Sequence, residues 1–225
     1  DMSYELFISL RHLKAKRSQK FISLNTWISV GGVALGVMAL IVVIAVMSGF
    51  GKDLRDKILG TNSHVVVTNI TRTGMEDYEA IIEKVKKAKG VNAAAPFILN
   101  QVMLTHGGNA MGVVVRGLDP ELEAGVSDLK KNLVQGSLEM LGGPAKSTGK
   151  PRRAGIILGK ELARRLGVQR DDVVSMVAPA SRVTPMGLIP KIKLFKVVGF
   201  FESGMFEYDS NLAFISIYSA QKFFS

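Results

Sequence analysis

The 225 residues contain no cysteine, so the chain forms no disulfide and offers no thiolate metal site. Histidine is scarce: His12, His64 and His106 stand far apart, without the H-x₃-H or H-E-x-x-H spacing of a zinc site. There is no G-x-S-x-G elbow, and the serines lack His and Asp partners nearby in sequence. GPAKSTGK (Gly143–Lys150) resembles a phosphate-binding loop. It fails because five residues separate Gly143 from Gly149 and because Pro151 stands where Ser or Thr would hold Mg²⁺. Glu202, Glu207 and Asp209 cluster near Gly204 and read as a solvated hairpin loop rather than a carboxylate pair. No catalytic constellation remains, so neither an enzyme nor a cofactor is expected.

The most consequential absence is of charge. Between Lys20 and Lys52 no charged residue occurs, and Trp27–Phe50 (WISVGGVALGVMALIVVIAVMSGF) is almost wholly apolar. As a helix it spans about 36 Å, enough to cross a hydrocarbon core of about 30 Å. A cleaved signal peptide has an apolar core of only about 7–15 residues and an A-x-A site, which is missing here, so the segment reads as a retained anchor. Arg11, Lys14, Lys16, Arg17 and Lys20 precede the span. After it, Lys52, Asp53, Arg55, Asp56 and Lys57 nearly cancel, which places the N-terminus in the cytoplasm and everything after Phe50 outside it. Tyr4, Phe7, Ile8, Leu10 and Leu13 mark one side of a short amphipathic segment. It is either an interfacial elbow or a solvated basic tail that only sets topology. Gly32 and Gly36 make one G-x-x-x-G step, a face suited to packing on another transmembrane helix.

About 175 residues follow the span, enough for one sizeable domain or two small ones. The formal net charge of +10 includes the topogenic cluster and is otherwise scattered, without interleaved aromatics. Nucleic-acid binding is therefore not expected.

His64–Ile70 has the β-branched density of a strand. A helix follows, with a Thr73/Glu76 capping box, apolar positions at Tyr78, Ile81, Ile82 and Val85, and Gly90 as its stop. Ala95–Thr105 and Met111–Gly117 flank His106-Gly107-Gly108-Asn109 as a hairpin. Residues 119–143 read as short helices and turns, and Gly142–Arg153 as a loop or a seam between subdomains. Beyond it, Gly155–Leu158, Asp172–Val177, Lys191–Phe201 and Leu212–Ile217 are strands, and Lys160–Leu166 is a helix ending at Gly167. The class is α+β, with a mixed α/β part followed by a β-rich part. Between two of the later strands, Pro179–Pro190 (PASRVTPMGLIP) carries three prolines; it is expected not to pair in a sheet and to project as a loop.

Ser23–Phe50 with its basic elbow resembles the first transmembrane helix of the LolC/LolE lipoprotein-releasing permeases, part of the FtsX/MacB-type group of ABC transporter subunits. VTPMGLIP (Val183–Pro190) is similar to the proline-rich hook of the LolC-type members. The resemblance implies an elbow over residues 1–20, a transmembrane helix over 21–50 and a MacB-like periplasmic core domain over 51–225. It further implies four transmembrane helices in a full permease, a separate cytoplasmic LolD-like ATPase, and a second permease subunit in a homo- or heterodimer. The setting would be the inner membrane of a Gram-negative bacterium. The substrates would be mature lipoproteins, passed to a periplasmic LolA-type carrier. Arg182, Thr184, Pro185, Met186 and Pro190 would grip that carrier, with Lys191 and Lys193 beside them.

The residues accord with that role. Pro185 and Pro190 stiffen the loop, which lowers its entropy loss on docking, and Met186 offers a polarisable apolar anchor. Val43, Met47 and Phe50 lie at i, i+4 and i+7 of the span, placed either to line an acyl-chain path or to face bulk lipid or a neighbouring helix. Two rival readings are a MacB-like efflux or FtsX-like signalling permease and a single-pass anchored periplasmic sensor or binding protein. The chain opens on Asp1 and stops at Phe223-Phe224-Ser225, inside a starting helix, so the native polypeptide is expected to continue.

Overall fold

The structure, a computed structural model, describes residues 4–13, 20–61, 63–69, 74–75, 77–142, 153–184 and 187–224. The chain divides into two compact units, residues 1–55 and 56–225.

In the first unit, α1 (Tyr4–Leu13) carries exposed Tyr4, Phe7 and Ile8; the side chains of Leu10 and Leu13 lie outside the described residues. The apolar span belongs to α2 (Lys20–Thr61), a continuous helix of 42 residues, about 63 Å long at 1.5 Å per residue. It does not stop at Phe50. The run after it, KDLRDKIL, consists mostly of good helix formers with Lys52 and Asp56, and Asp53 and Lys57, at i,i+4 spacing. Among the described residues α2 contains the one helix long and apolar enough to cross a membrane. Every side chain from Trp27 to Phe50 is exposed. A helix that is apolar on all sides and left uncovered by its own chain is matched to hydrocarbon rather than water.

In the second unit the segment after α2 departs from expectation. His64–Asn69 belongs to no strand, and Val65, Val66 and Val67 are exposed. β-branched density favours extended backbone, yet a strand needs a partner to form a ladder. The next helix, α3 (Tyr78–Lys86), forms where the spacing predicts it, with Asp77 at its N-cap and no buried residue. Thr73 and Glu76, the predicted capping box, lie outside the described residues.

β1 (Phe97–His106) and β2 (Asn109–Leu118) pair antiparallel from Phe97↔Leu118 to His106↔Asn109. The turn is Gly107-Gly108, with φ of +54° and +90°; both turn positions of this kind of hairpin demand positive φ, which glycine adopts freely. After α4 (Pro120–Glu123) and the short β3 (Leu133–Gln135) come β4 (Gly155–Gly159), α5 (Lys160–Leu166), β5 (Val173–Thr184), β6 (Gly187–Phe201), α6 (Phe206–Asn211), β7 (Leu212–Ser216) and α7 (Ile217–Phe224). Gly167, at φ +68°, caps α5 in the left-handed conformation. The sheet order is β3-β6-β4-β7-β2-β1-β5, and β5 pairs back onto β6, so six strands close into a ring with β3 beside the end of β6.

Alternation fixes the interior. Val102 and Leu104, Val113 and Val115, Ile156 and Leu158, Val174 and Met176, Phe195 and Val197, and Ala213 and Ile215 come in pairs from the six strands and form one buried cluster. Leu162 and Leu166 of α5 and Ala220 and Phe223 of α7 join it. Leu118, Leu129, Leu138, Leu141, Ile157, Phe201 and Phe214 form a second cluster on the outside of the sheet.

The α+β class holds. Strands from both sides of residues 143–152 lie in one sheet. The parallel pairings β2–β7 and β4–β6 join them.

One buried ion pair lies outside the ring. Arg116 of β2 reaches Glu123 of α4 (Nη2 to Oε1, 3.1 Å), the two side chains being 8% and 1% exposed. Ser127 Oγ donates to the same carboxylate oxygen at 2.7 Å. The Phe97 ring centroid lies 5.0 Å from the guanidinium. Arg116 Nε and Glu123 Oε2 are buried without a hydrogen-bond partner.

Candidate functional site

The proline-rich segment lies in the hairpin formed by β5 and β6. Near the ring the pairing is regular, from Val173↔Lys196 to Ala178↔Lys191. The register then shifts, and Arg182↔Ile189, Val183↔Leu188 and Thr184↔Gly187 complete the arm. Pro179, Ala180 and Ser181 on one strand thus stand opposite Pro190 on the other. The expectation that this stretch cannot pair is therefore corrected. Its prolines were read as a bar to pairing, yet Pro179 and Pro190, which lack an N–H, both fall in the bulge, where no regular ladder bond is required. β1 borders β5 only at Ser175–Val177, and β4 borders β6 only from Lys196 onward. The arm beyond the bulge is consequently a two-stranded ribbon. Pro185 and Met186, between Thr184 and Gly187, lie outside the described residues, as do the side chains of Arg182 and Thr184.

At the base of the arm the two faces differ in chemistry. Lys191 and Lys193 share the face that Phe195 and Val197 continue into the core. Lys191 Nζ donates to the carbonyl of Lys222 at 3.5 Å and sits 5.9 Å from the Phe223 ring centroid. Lys193 Nζ lies 5.1 Å from the Phe195 centroid, and the two rings meet edge-on at 6.4 Å. Burial first, then the charges of Lys222 and Lys191, hold the Lys193 amino group below the ordinary lysine range. Each lysine lies over an aromatic face that offsets part of this cost.

The opposite face is apolar and faces water. Ile192 is 61% exposed and Leu194 45%, and the register Met103↔Val177↔Ile192 carries the stripe across β5 to exposed Met103. These three residues were not singled out in the sequence. The parity of KIKLF, with lysines alternating with Ile and Leu, is the signal that marks them, once Phe195 fixes which face is buried.

The other predicted residues are placed as follows. Val43, Met47 and Phe50 are exposed on α2. A Cβ at Gly32 or Gly36 would meet nothing within 4 Å. Glu202 pairs with Lys160 (2.8 Å) and buried Asp209 accepts from Ser203 N and Oγ (both 2.8 Å), so these two carboxylates hold local structure. Among the described residues no group of three or more metal-ligating side chains converges. The loop resembling a phosphate site lies outside them.

The family model of the MacB-like periplasmic core domain matches residues 26–225. The lipoprotein-releasing system transmembrane protein LolC of Neisseria meningitidis serogroup B (strain MC58) is 37% identical over 219 residues, covering 97% of this chain and 51% of that protein. LolC of Xylella fastidiosa (strain Temecula1) is 38% identical over 215 residues, covering 96% and 50%. The chain thus spans about half the length of these curated relatives. A solved structure, the extracellular domain of the noncanonic ABC-type transporter YknZ from Gram-positive bacteria, matches 64% of each chain at 12% identity and a TM-score of 0.38. The long apolar helix, the α+β domain behind it and the family match over nearly the whole sequence lead to one conclusion: the chain belongs to the family of MacB-like periplasmic core domains and is similar to LolC-type transmembrane proteins.

Proposed function

We propose that the chain is the N-terminal part of an ABC transporter permease that draws mature lipoproteins from the inner membrane of a Gram-negative bacterium and passes them to a periplasmic LolA-type carrier. A separate cytoplasmic LolD-like ATPase supplies the energy, and a second permease subunit completes the transporter. The role is transport, not catalysis. On this reading residues 1–20 lie on the cytoplasmic side, α2 crosses the bilayer with Gly32 and Gly36 against a neighbouring helix, and residues after about 51 are periplasmic. Val43, Met47 and Phe50 line the acyl-chain path.

The observation that carries the reading is the β5–β6 arm, a two-stranded ribbon paired as far as Thr184↔Gly187, within the VTPMGLIP stretch of a chain similar to LolC. A ribbon needs no third strand to present its tip, and the prolines limit what the tip loses in entropy on docking. Arg182, Thr184, Pro185, Met186 and Pro190 form the grip, with Lys191 and Lys193 at its base. A photoreactive residue at Met186 is expected to capture a LolA-type carrier, and one at Met140 is not. Capture from position 140 alone would remove the arm from the reading. In the same assay Met186→Asp is expected to weaken capture at least about tenfold, because a charge cannot enter an apolar groove cheaply.

A further inference from the structure

The chain has ten methionines and no cysteine, so a two-electron oxidant that reaches it meets thioethers and no thiol. Among the described residues of the second unit, the exposed methionines are Met103 and Met140, at 45% and 46%. They differ in one contact. Arg170 Nη2 donates to Met140 Sδ at 3.7 Å, and among the described residues Met140 is the one methionine whose sulfur has a hydrogen-bond donor.

The backbone holds both partners in place. Met140 belongs to a single 3₁₀ turn, Leu138–Leu141, pinned by buried Leu138 and Leu141. Its carbonyl oxygen lies so close to Gly155 of β4 that a Cβ there would meet it at 2.5 Å. Arg170 stands in the turn before β5. There Gln169 N donates to Asp172 Oδ2 (2.7 Å), Asp171 N donates to Val197 O (2.9 Å) and Asp171 pairs with Lys196 (2.7 Å).

We propose that Met140 is a site of reversible oxidation to the sulfoxide, promoted and then held by Arg170. With hydrogen peroxide, a sulfur lone pair attacks one peroxide oxygen. The S–O bond forms as the O–O bond breaks, and sulfur gives up two electrons. The departing oxygen takes the proton of the transferred one and leaves as water. Negative charge builds on both oxygens along that path, beside a guanidinium N–H already aimed at the sulfur. In the product, a polar S–O oxygen replaces the weak thioether acceptor within reach of the same donor. That bond ties the 3₁₀ turn to the turn that opens β5, the strand that continues into the arm.

The purified 225-residue chain in detergent is treated with hydrogen peroxide, and each methionine is followed by peptide mass spectrometry. Met140 is expected to oxidise about fivefold faster than Met103, the effect of one ordinary hydrogen bond. In Arg170→Leu, at an exposed position, the Met140 rate is expected to fall to that of Met103, and in Arg170→Lys to recover in part. The Met103 rate reports on the fold and is expected to be alike in all three chains. After oxidation the amides of Leu138–Leu141 are expected to exchange more slowly in the parent but not in Arg170→Leu, and a methionine sulfoxide reductase is expected to restore the original exchange. Equal rates at 103 and 140, or a Met140 rate unmoved by Arg170→Leu, would overturn the proposal. So would parent amides that exchange no more slowly after oxidation.

Discussion

Lys193 concentrates the electrostatic tension of the arm's base. Its amino group is held below the ordinary lysine range by burial and by Lys222 and Lys191, so the unfolded chain binds this proton more tightly than the folded one. Stability therefore carries a penalty at neutral pH that is relieved as pH rises through the depressed folded value towards the unfolded one near 10.5. Lys193→Met is expected to raise the thermal midpoint at pH 7 and to flatten the alkaline rise seen in the parent by calorimetry. A parent curve without that rise would contradict the assignment. Arg116 poses the opposite case, because its charge is paired but shut away from water. Arg116→Met strands Glu123 and is expected to cost about 3–5 kcal/mol in denaturant unfolding, whereas replacing both partners with Met is expected to recover most of that loss. If the double variant were no better than the single, the arginine would act through packing on Phe97 instead of through charge.

At the scale of elements, the β1–β2 hairpin rests on two glycines with positive φ. Gly108→Val, at φ +90°, is expected to cost on the order of 1–3 kcal/mol and to leave the α5 and α7 contacts intact, as urea titration with separate probes would show. Local signals made this hairpin legible: alternation on both strands and a Gly-Gly turn between them. α5 was equally plain, since Gly167 ends it. The arm was not, because three prolines argue against a strand unless it is known that two of them share a bulge. The parity of β6 misleads in the same way. Read alone, KIKL puts Ile192 and Leu194 inside, but Phe195 and Val197 are the residues that enter the core, so the lysines follow them inward and the aliphatic pair turns to water. The valines at 65–67 fail for a different reason: propensity favours extended backbone, but a strand needs a ladder, and this segment has none among the described residues.

For the molecule as a whole, the decisive element is α2. Its apolar stretch is long and apolar enough to cross a membrane. The chain is expected to stay with vesicles through an alkaline carbonate wash, and Ile41→Lys, near the middle of the span, is expected to cost about 2.5–3.5 kcal/mol of insertion in a translocon assay. Release of the parent chain into the supernatant would end the transmembrane assignment. The closed ring was the least legible feature, because its closure rests on pairings between residues far apart in sequence, such as Val114 with Leu212 and Gly155 with Lys196. That ring also gives the arm a mechanical character. β6 is one uninterrupted strand of 15 residues, about 50 Å end to end at 3.3 Å per residue, built into the wall at one end and reaching the tip at the other. A pull on the arm along that strand loads in shear the ladders that anchor the hairpin, β6 to β4 and β5 to β1, whereas a sideways push finds a pivot at the bulge between Ala178 and Arg182. The arm is thus stiff as a tether and compliant as a rudder.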